Sequence, residues 1–263
     1  MNRDENIKEF NDTMSKCRTD PDLIKSIKDS VSEQRIIYED APLNDIRRRF
    51  DRTQVSVTKG RSLQVARGKD GRVCILNFAS FRRPGGGVAN GSTAQEESIC
   101  RITTLYPCLS DERMLKGFYE KHRDVSSHLY NSDIIYTPGI KVIKMDLANP
   151  ISLPKQSWYG VDIISCAAPN QKEGKIPLDK LRALLVSRIE RIFNVAMSND
   201  ADVLILGAFG CGVFENDPTT VAEAFKKVLD DYEGCFREVL FPIFSQKGDE
   251  NYRAFEKVIR TNQ

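Results

Sequence analysis

Apolar positions change their spacing part-way along the chain. In the first 52 residues they are sparse and roughly helical in period, at Leu23, Ile24, Ile27, Val31, Ile36 and Ile37 of LIKSIKDSVSEQRIIYED, which predicts a helical N-terminal extension, residues 1–52, packed on a core. Beyond it the pattern becomes short continuous apolar runs bounded by turn residues: RVCILNF (72–78), DIIYTPGIKVIKMD (133–146), VDIISCAA (161–168), ADVLILGAF (201–209) and REVLFPIF (237–244). Runs of this kind read as buried strands. Helical stretches lie between them: TAQEESICRITTLYPCL, KLRALLVSRIERIFNVAMSN, PTTVAEAFKKVLDDY and a terminal ENYRAFEKVIR. Strands alternating with helices predict a layered α/β fold with a mixed, mostly parallel sheet in a catalytic domain over residues 53–263. No internal repeat, low-complexity tract or Pro/Ser linker interrupts it.

Composition narrows the classes of function. With 40% hydrophobic and 29% charged residues over 263 positions, the chain has ordinary globular character and is long enough to bury a substantial core. Its 39 basic and 37 acidic residues leave +2, so no global field marks a polyanion-coating protein and any anion site must be local. Arg47, Arg48, Arg49 and Arg52 form a basic run, read here as a solvated helix face in preference to a polyanion surface. The first twenty residues, MNRDENIKEFNDTMSKCRTD, contain no apolar signal region, and no later run is long enough to span a bilayer. The expectation is an intracellular, cytoplasmic protein without a membrane partner, nuclear residence being the eukaryotic alternative. Seven scattered cysteines without a C-x-x-C pair fit a reducing compartment. With two histidines, His122 and His128, and no matching ligand spacing, neither a metal site nor a cofactor is expected.

Two segments carry candidate chemistry. The first is strand VCILNF, then ASFRRPGGGVANGS, then a helix starting near Ser92 or Thr93; Ser92-x-x-Gln95 and Thr93-x-x-Glu96 both fit a capping box. The second is VLILGAF, then GCGVFEND, then a helix opening at Asp217-Pro218, proline suiting a first helical turn. Glycine-rich loops at the ends of strands bring backbone N–H groups and positive helix ends to bear on anions. The order G-x-x-G-x-G at residues 207–212 is not the dinucleotide fingerprint, and neither loop is followed by Lys-Ser/Thr as a Walker A loop requires. A diphosphate held by backbone groups is what remains.

Glu96 and Glu97 fall in the first turn of the helix after the triple glycine, about 100° apart around its axis. One reading makes Glu96 the capping-box acid and Glu97 a neighbour compatible with the helix dipole. The other is glycosidic-bond cleavage, in which an acid protonates the departing oxygen while an oxocarbenium-like ribose is stabilised and water attacks.

The sequence LNFAS at 76–80, PGGG at 84–87, seven further residues and QEES at 95–98, together with GAFGCGVF at 207–214, resembles the signatures of microbial-type poly(ADP-ribose) glycohydrolases. The similarity continues through IIYTPGI, DIISCAAPN and NDPTTVAEAF, roughly residues 50–260. It implies a three-layer α/β/α macrodomain, cleavage of the ribose–ribose O-glycosidic bond of ADP-ribose polymers to release ADP-ribose, and no cofactor. Partners would be poly(ADP-ribose), ADP-ribose and the ADP-ribosylated proteins or nucleic acid that carry them, the chain acting as a monomer.

Carried onto this sequence, the resemblance makes Glu97 the general acid that protonates the 2′ oxygen of the leaving unit, with Glu96 orienting the bound ribose. It assigns Gly85, Gly86, Gly87 and Val88 to a catalytic loop and Gln95 to the binding set. Gly210, Cys211, Gly212 and Val213 would wrap the diphosphate, and Phe214 would pack on the distal ribose. Asn77 would make a polar contact near adenine or its ribose, and Phe244 would stack on adenine or belong to the core. Val88-Ala89 replaces bulkier residues, Ser80 stands where many macrodomains have Asn, and Arg82 and Arg83 read equally as surface charge or as contacts to polymer phosphate. Two alternatives stay open: a macrodomain that binds ADP-ribose without cutting it, and a mono-ADP-ribosyl hydrolase.

Overall fold

The structure is a computed structural model that describes residues 1–125, 127–244 and 248–260. In chain order the elements are α1 (Arg3–Thr19), α2 (Pro21–Glu33), β1 (Arg35–Ile37), β2 (Gln54–Lys59), α3 (Ser62–Ala66), β3 (Val73–Phe78), α4 (Gln95–Ile102) and α5 (Leu105–Leu109). There follow α6 (Glu112–Met114), a π-helical turn (Leu115–Tyr119), α7 (Glu120–Arg123), β4 (Ile134–Val142), β5 (Lys144–Met145), β6 (Ile151–Ser152) and β7 (Tyr159–Cys166). The chain ends with α8 (Leu178–Ser198), β8 (Val203–Ile205), α9 (Pro218–Asp231), β9 (Glu238–Ile243) and α10 (Glu250–Arg260). All five predicted apolar runs contain strands and the predicted helical stretches are helical, giving the expected mixed α/β fold.

Two compact units divide the chain. The first comprises residues 1–37, 77–126 and 133–166; the second, 38–76, 127–132 and 167–263. In the first, β1, β4 and β7 are antiparallel neighbours, Arg35 opposite Tyr136 and Ile135 opposite Ser165. The β4–β7 register shifts between Thr137 and Ile140, where Gly139 sits at φ +68°. Asp162 absorbs the irregularity by accepting the Gly139 N–H at 2.9 Å and the Tyr136 hydroxyl at 2.5 Å.

The N-terminal helices are built into this unit. The α1 cap is reciprocal: Glu5 N–H donates to Asn2 and the Asn2 N–H to Glu5. Arg3 and Asn6 donate to the carbonyls of Asn90 and Gly91 at 3.0 and 3.2 Å, and Thr13 donates to the Arg101 carbonyl. Thus α1 braces the glycine loop at one end and α4 at the other. Lys144, fully buried, reaches Glu9 and Asp12 of α1, a pairing that a buried ammonium requires.

In the second unit β3, β8, β9 and β2 run parallel, with Val73 opposite Val203, Val203 opposite Glu238, and Glu238 opposite Gln54. Residues of β8 and all but the first of β9 are buried, as parallel strands covered on both faces should be. Helix α9 packs on α8 and α10, with Phe225 edge-on to Phe241 at 5.2 Å.

The helical pattern expected over residues 1–52 ends at Glu33. Arg35–Ile37 is a strand, and residues 38–53 contain no helix. Tertiary hydrogen bonds fix that segment instead: Arg49 and Phe50 N–H groups share the Gly234 carbonyl, Arg47 pairs with Asp200, and Arg49 pairs with Asp202. Two members of the arginine run are therefore engaged with acidic side chains of their own unit, and no helix carries them.

Candidate active site

The acid pair lies in the first unit, where β3 ends and α4 begins. Helix α4 opens at Gln95 with Ala94 at its N-cap and no side-chain cap, so neither expected capping box forms. The side chains concerned turn back toward the strand end. Gln95 Oε1 accepts the Phe78 N–H at 2.8 Å, and Glu96 Oε2 accepts the Ser80 N–H at 2.7 Å. Ser80 Oγ in turn accepts from the N–H groups of Arg82 and Arg83 at 3.3 and 3.2 Å, folding the chain into the glycine loop.

The triple glycine is shaped around the acids. A Cβ on Gly86 would lie 2.5 Å from Glu97 Oε1 and 3.0 Å from Glu96 Oε2, and its φ is +58°. Any side chain there would therefore be both strained and in collision. Gly87 donates its N–H to Glu97 Oε1 at 2.9 Å. The Tyr106 ring abuts Gly85, where an added Cβ would sit 2.7 Å from it, and Val88 is buried beside them.

Both carboxylates are buried, Glu96 3% and Glu97 7% exposed, yet their oxygens differ. Glu96 Oε1 accepts from the Asn77 amide at 3.3 Å and Oε2 from Ser80, so both are occupied. Glu97 has Oε1 on Gly87, while its Oε2 is buried with no partner among the described residues. Burial pushes the Glu96 carboxyl up to about 8. The Ser80 N–H opposes the rise, the neighbouring Glu97 adds to it, and the Asn77 amide and Gly85 N–H oppose it further. Two carboxylates in one buried site cannot both ionise cheaply, so at neutral pH the pair keeps a proton.

Asn77 is fully buried, and its amide also donates to Ser165 Oγ at 3.0 Å; what it touches is Glu96 and Ser165. Arg82 donates to the Val125 carbonyl at 3.2 Å, and Arg83 is exposed.

The other loop lies in the second unit, between β8 and α9. Gly210, at φ +72°, has room for no Cβ, since Ala168 Cβ and Asn216 Nδ2 would each be 2.5 Å away. Asn216 holds the loop by donating to the carbonyls of Pro169 and Gly210 at 2.9 and 3.0 Å. Asp217 caps α9 through the Thr220 N–H with Pro218 following, as expected. The N–H groups of Gly212, Val213 and Phe214 have no acceptor among the described residues, and Gly212 and Val213 are exposed at the tip. A run of unclaimed N–H groups in such a turn suits an anion. Burial raises the Cys211 thiol well above its ordinary range, so it contributes no thiolate.

Phe214 is half-buried, edge-on to Tyr130 at 5.9 Å, and its carbonyl accepts the Gln171 N–H. Phe244 is 48% exposed with the Arg61 guanidinium 3.8 Å above its ring, which removes the core alternative. Each predicted cluster is thus assembled within its own unit: Asn77, Gly85–Val88, Gln95, Glu96 and Glu97 in the first, Gly210–Phe214 in the second. Sequence reasoning noted Ser80 only as a departure from the family pattern and did not see its backbone N–H on Glu96, and it missed Ser165, Tyr106 and Asn216, whose roles are set by distant partners. Ser80, Ser165 and Asn216 lay inside quoted stretches, LNFAS, DIISCAAPN and GCGVFEND, without a role being assigned to them.

Comparison with known proteins bears on this geometry. The family model of the microbial-type PARG catalytic domain matches residues 9–145. No curated protein sequence matches the chain. Among solved structures, poly(ADP-ribose) glycohydrolase from Thermomonospora curvata aligns with a TM-score of 0.86 at 26% identity, covering 97% of this chain and 100% of that one. The same enzyme bound to the inhibitor ADP-HPD gives 0.84 at 28%, covering 97% and 99%. The enzyme from Deinococcus radiodurans in complex with ADP-ribose gives 0.78 at 28%, covering 90% and 98%. With the acid pair and its glycine loop inside the matched segment, the chain belongs to the family of microbial-type poly(ADP-ribose) glycohydrolase catalytic domains.

Proposed function

We propose that this protein hydrolyses the ribose–ribose O-glycosidic bond of poly(ADP-ribose), releasing ADP-ribose, with Glu97 as general acid. The observation that carries the assignment is the unequal engagement of the two acids. Both Glu96 oxygens are taken up by Asn77 and Ser80, whereas Glu97 is fixed through one oxygen and keeps the other unpartnered. An acid anchored in this way is oriented and still has an oxygen to give to a reacting group.

In the proposed reaction, the single proton that the acid pair keeps is delivered from Glu97 Oε2 to the 2′ oxygen of the leaving unit as its bond to the anomeric carbon breaks. Water then adds to the oxocarbenium-like ribose and returns a proton to Glu97, so the enzyme is restored and one bond is exchanged for the elements of water. Glu96, whose burial lets the pair keep that proton at neutral pH, orients the ribose. Gln95 secures the start of α4 against the end of β3. Gly210, Cys211, Gly212 and Val213 receive the diphosphate through backbone N–H groups, and Phe214 steadies the distal ribose. Phe244, exposed and stacked under Arg61, is available to adenine, and Asn77 acts through Glu96.

Poly(ADP-ribose) and its carriers, ADP-ribosylated protein or nucleic acid, are the proposed partners, and the chain is proposed to act as a monomer in the cytoplasm. Among the described residues no helix is long and apolar enough to cross a membrane. Incubation with purified poly(ADP-ribose) and identification of the product tests the activity. Free ADP-ribose is expected. Binding without release would assign a reader, and release from singly modified carriers with the polymer left intact would assign a mono-ADP-ribosyl hydrolase.

A further inference from the structure

A cavity of about 370 Å³ opens in the first unit between α1, α2 and α5. Its walls are Met14 and Cys17 from α1, Ile24 and Ile27 from α2, and Tyr106 and Pro107 from α5. Cys17 is buried and burial pushes its thiol up to about 11, so this wall stays neutral. Two cations complete the lining, Arg18 and Lys28. Both are exposed, and neither has a hydrogen-bond or ion-pair partner among the described residues. Their neighbours are otherwise matched: Lys16 pairs with Asp12, and Lys25 with Asp29.

An apolar chamber with two unmatched cations at its edge is complementary to one kind of small molecule. We propose that this groove binds an amphiphilic carboxylic acid, its acyl or aryl part among Met14, Ile24, Ile27 and Tyr106 and its carboxylate against Arg18 and Lys28. The volume lies at the small end of ligand pockets, and at roughly 30 Å³ per water-sized atom it admits roughly a dozen heavy atoms. The occupant is thus a soluble monoacid of medium length.

Occupancy reaches the catalytic loop through Tyr106. That residue lines the groove, and its ring stands edge-on to Phe10 at 4.9 Å and abuts Gly85. Gly85 precedes Gly86 and Gly87, which press against and hold the acids. A ligand touching Tyr106 therefore acts on the support of the loop that carries Glu97's hydrogen bond.

Calorimetry on the full chain with decanoate, below its micellar concentration, tests the site independently of the enzymatic reading. One decanoate per chain is expected, with decanol weaker and with affinity for decanoate reduced roughly three- to tenfold in the Arg18→Ala/Lys28→Ala variant. Both substituted residues are exposed, so the variant should keep the wild-type melting temperature. Decanol binding as tightly as decanoate, a variant with undiminished affinity, or no saturable binding would overturn the site. Polymer turnover at saturating decanoate reads the coupling: a change of at least about twofold in the wild type, needing higher decanoate in the variant, is expected. Unchanged turnover at calorimetric saturation would overturn the coupling.

Discussion

Glu96 and Glu97 are adjacent in sequence and opposite in what their oxygens do. Because Glu96 is buried beside a second carboxylate, its folded-state value of about 8 lies above its ordinary 4.5. A carboxyl raised in this way contributes stability that is complete below about pH 4.5 and is lost as pH rises through about 8. Glu96→Gln should therefore flatten the fall in melting temperature between pH 5 and pH 9, by an amount on the order of a few kcal/mol at the alkaline end. Thermal denaturation of both proteins across that range checks it; parallel pH profiles would mean that the Glu96 carboxyl is not raised. Activity should also decline above about pH 8, where the pair loses its proton. This division of labour was invisible in the sequence. Gln95-Glu96-Glu97 showed two acids on a helix start, but the choice between capping and chemistry depended on the Phe78 and Ser80 N–H groups, which reach Gln95 and Glu96 from the preceding strand end.

At the scale of elements, the two glycine loops are expected to fail differently. Gly86→Ala introduces a left-handed alanine and a methyl group against Glu97, which should cost about 1–3 kcal/mol of stability and at least about tenfold in turnover, since roughly 1 Å of misplacement at a reacting centre can cost about a hundredfold. Asn216→Ala releases the Gly210 and Pro169 carbonyls and should weaken ADP-ribose binding several-fold while leaving turnover at saturation nearer to wild type. Measuring kcat and the Kd for ADP-ribose in both variants separates them; an Asn216 variant that loses turnover alone would contradict the diphosphate assignment. Phe214→Ala should lower turnover more than affinity, and a poorly folded variant without that selectivity would make Phe214 core. The strand ends that carry both loops were readable, because β3 and β8 are buried apolar runs and Asp217-Pro218 is a local helix-start signal. Strands β1 and β2 were not, being mixed in burial. Residues 38–53 escaped for another reason: Gly234, Asp200 and Asp202, far along the chain, fix them.

For the molecule as a whole, the N-terminal helices change status from extension to support. Arg3, Asn6 and Thr13 hold the glycine loop and the end of α4, and Lys144 ties α1 to β5. Removal of residues 1–19 should therefore abolish polymer cleavage and lower the melting temperature together. A truncated protein of wild-type activity would return α1 to the role of an appendage. The central claim is that Glu97 delivers the proton, and the most direct measurement is single-turnover release of ADP-ribose from poly(ADP-ribose) by wild type and Glu97→Gln, each first shown to share one circular dichroism spectrum and a melting temperature within a few degrees. Glutamine keeps the size of the side chain and its acceptor for the Gly87 N–H but has no proton to give. Release should fall by about 10²- to 10⁴-fold with ADP-ribose affinity little changed; a folded Glu97→Gln protein that releases ADP-ribose at near wild-type rate would contradict the account.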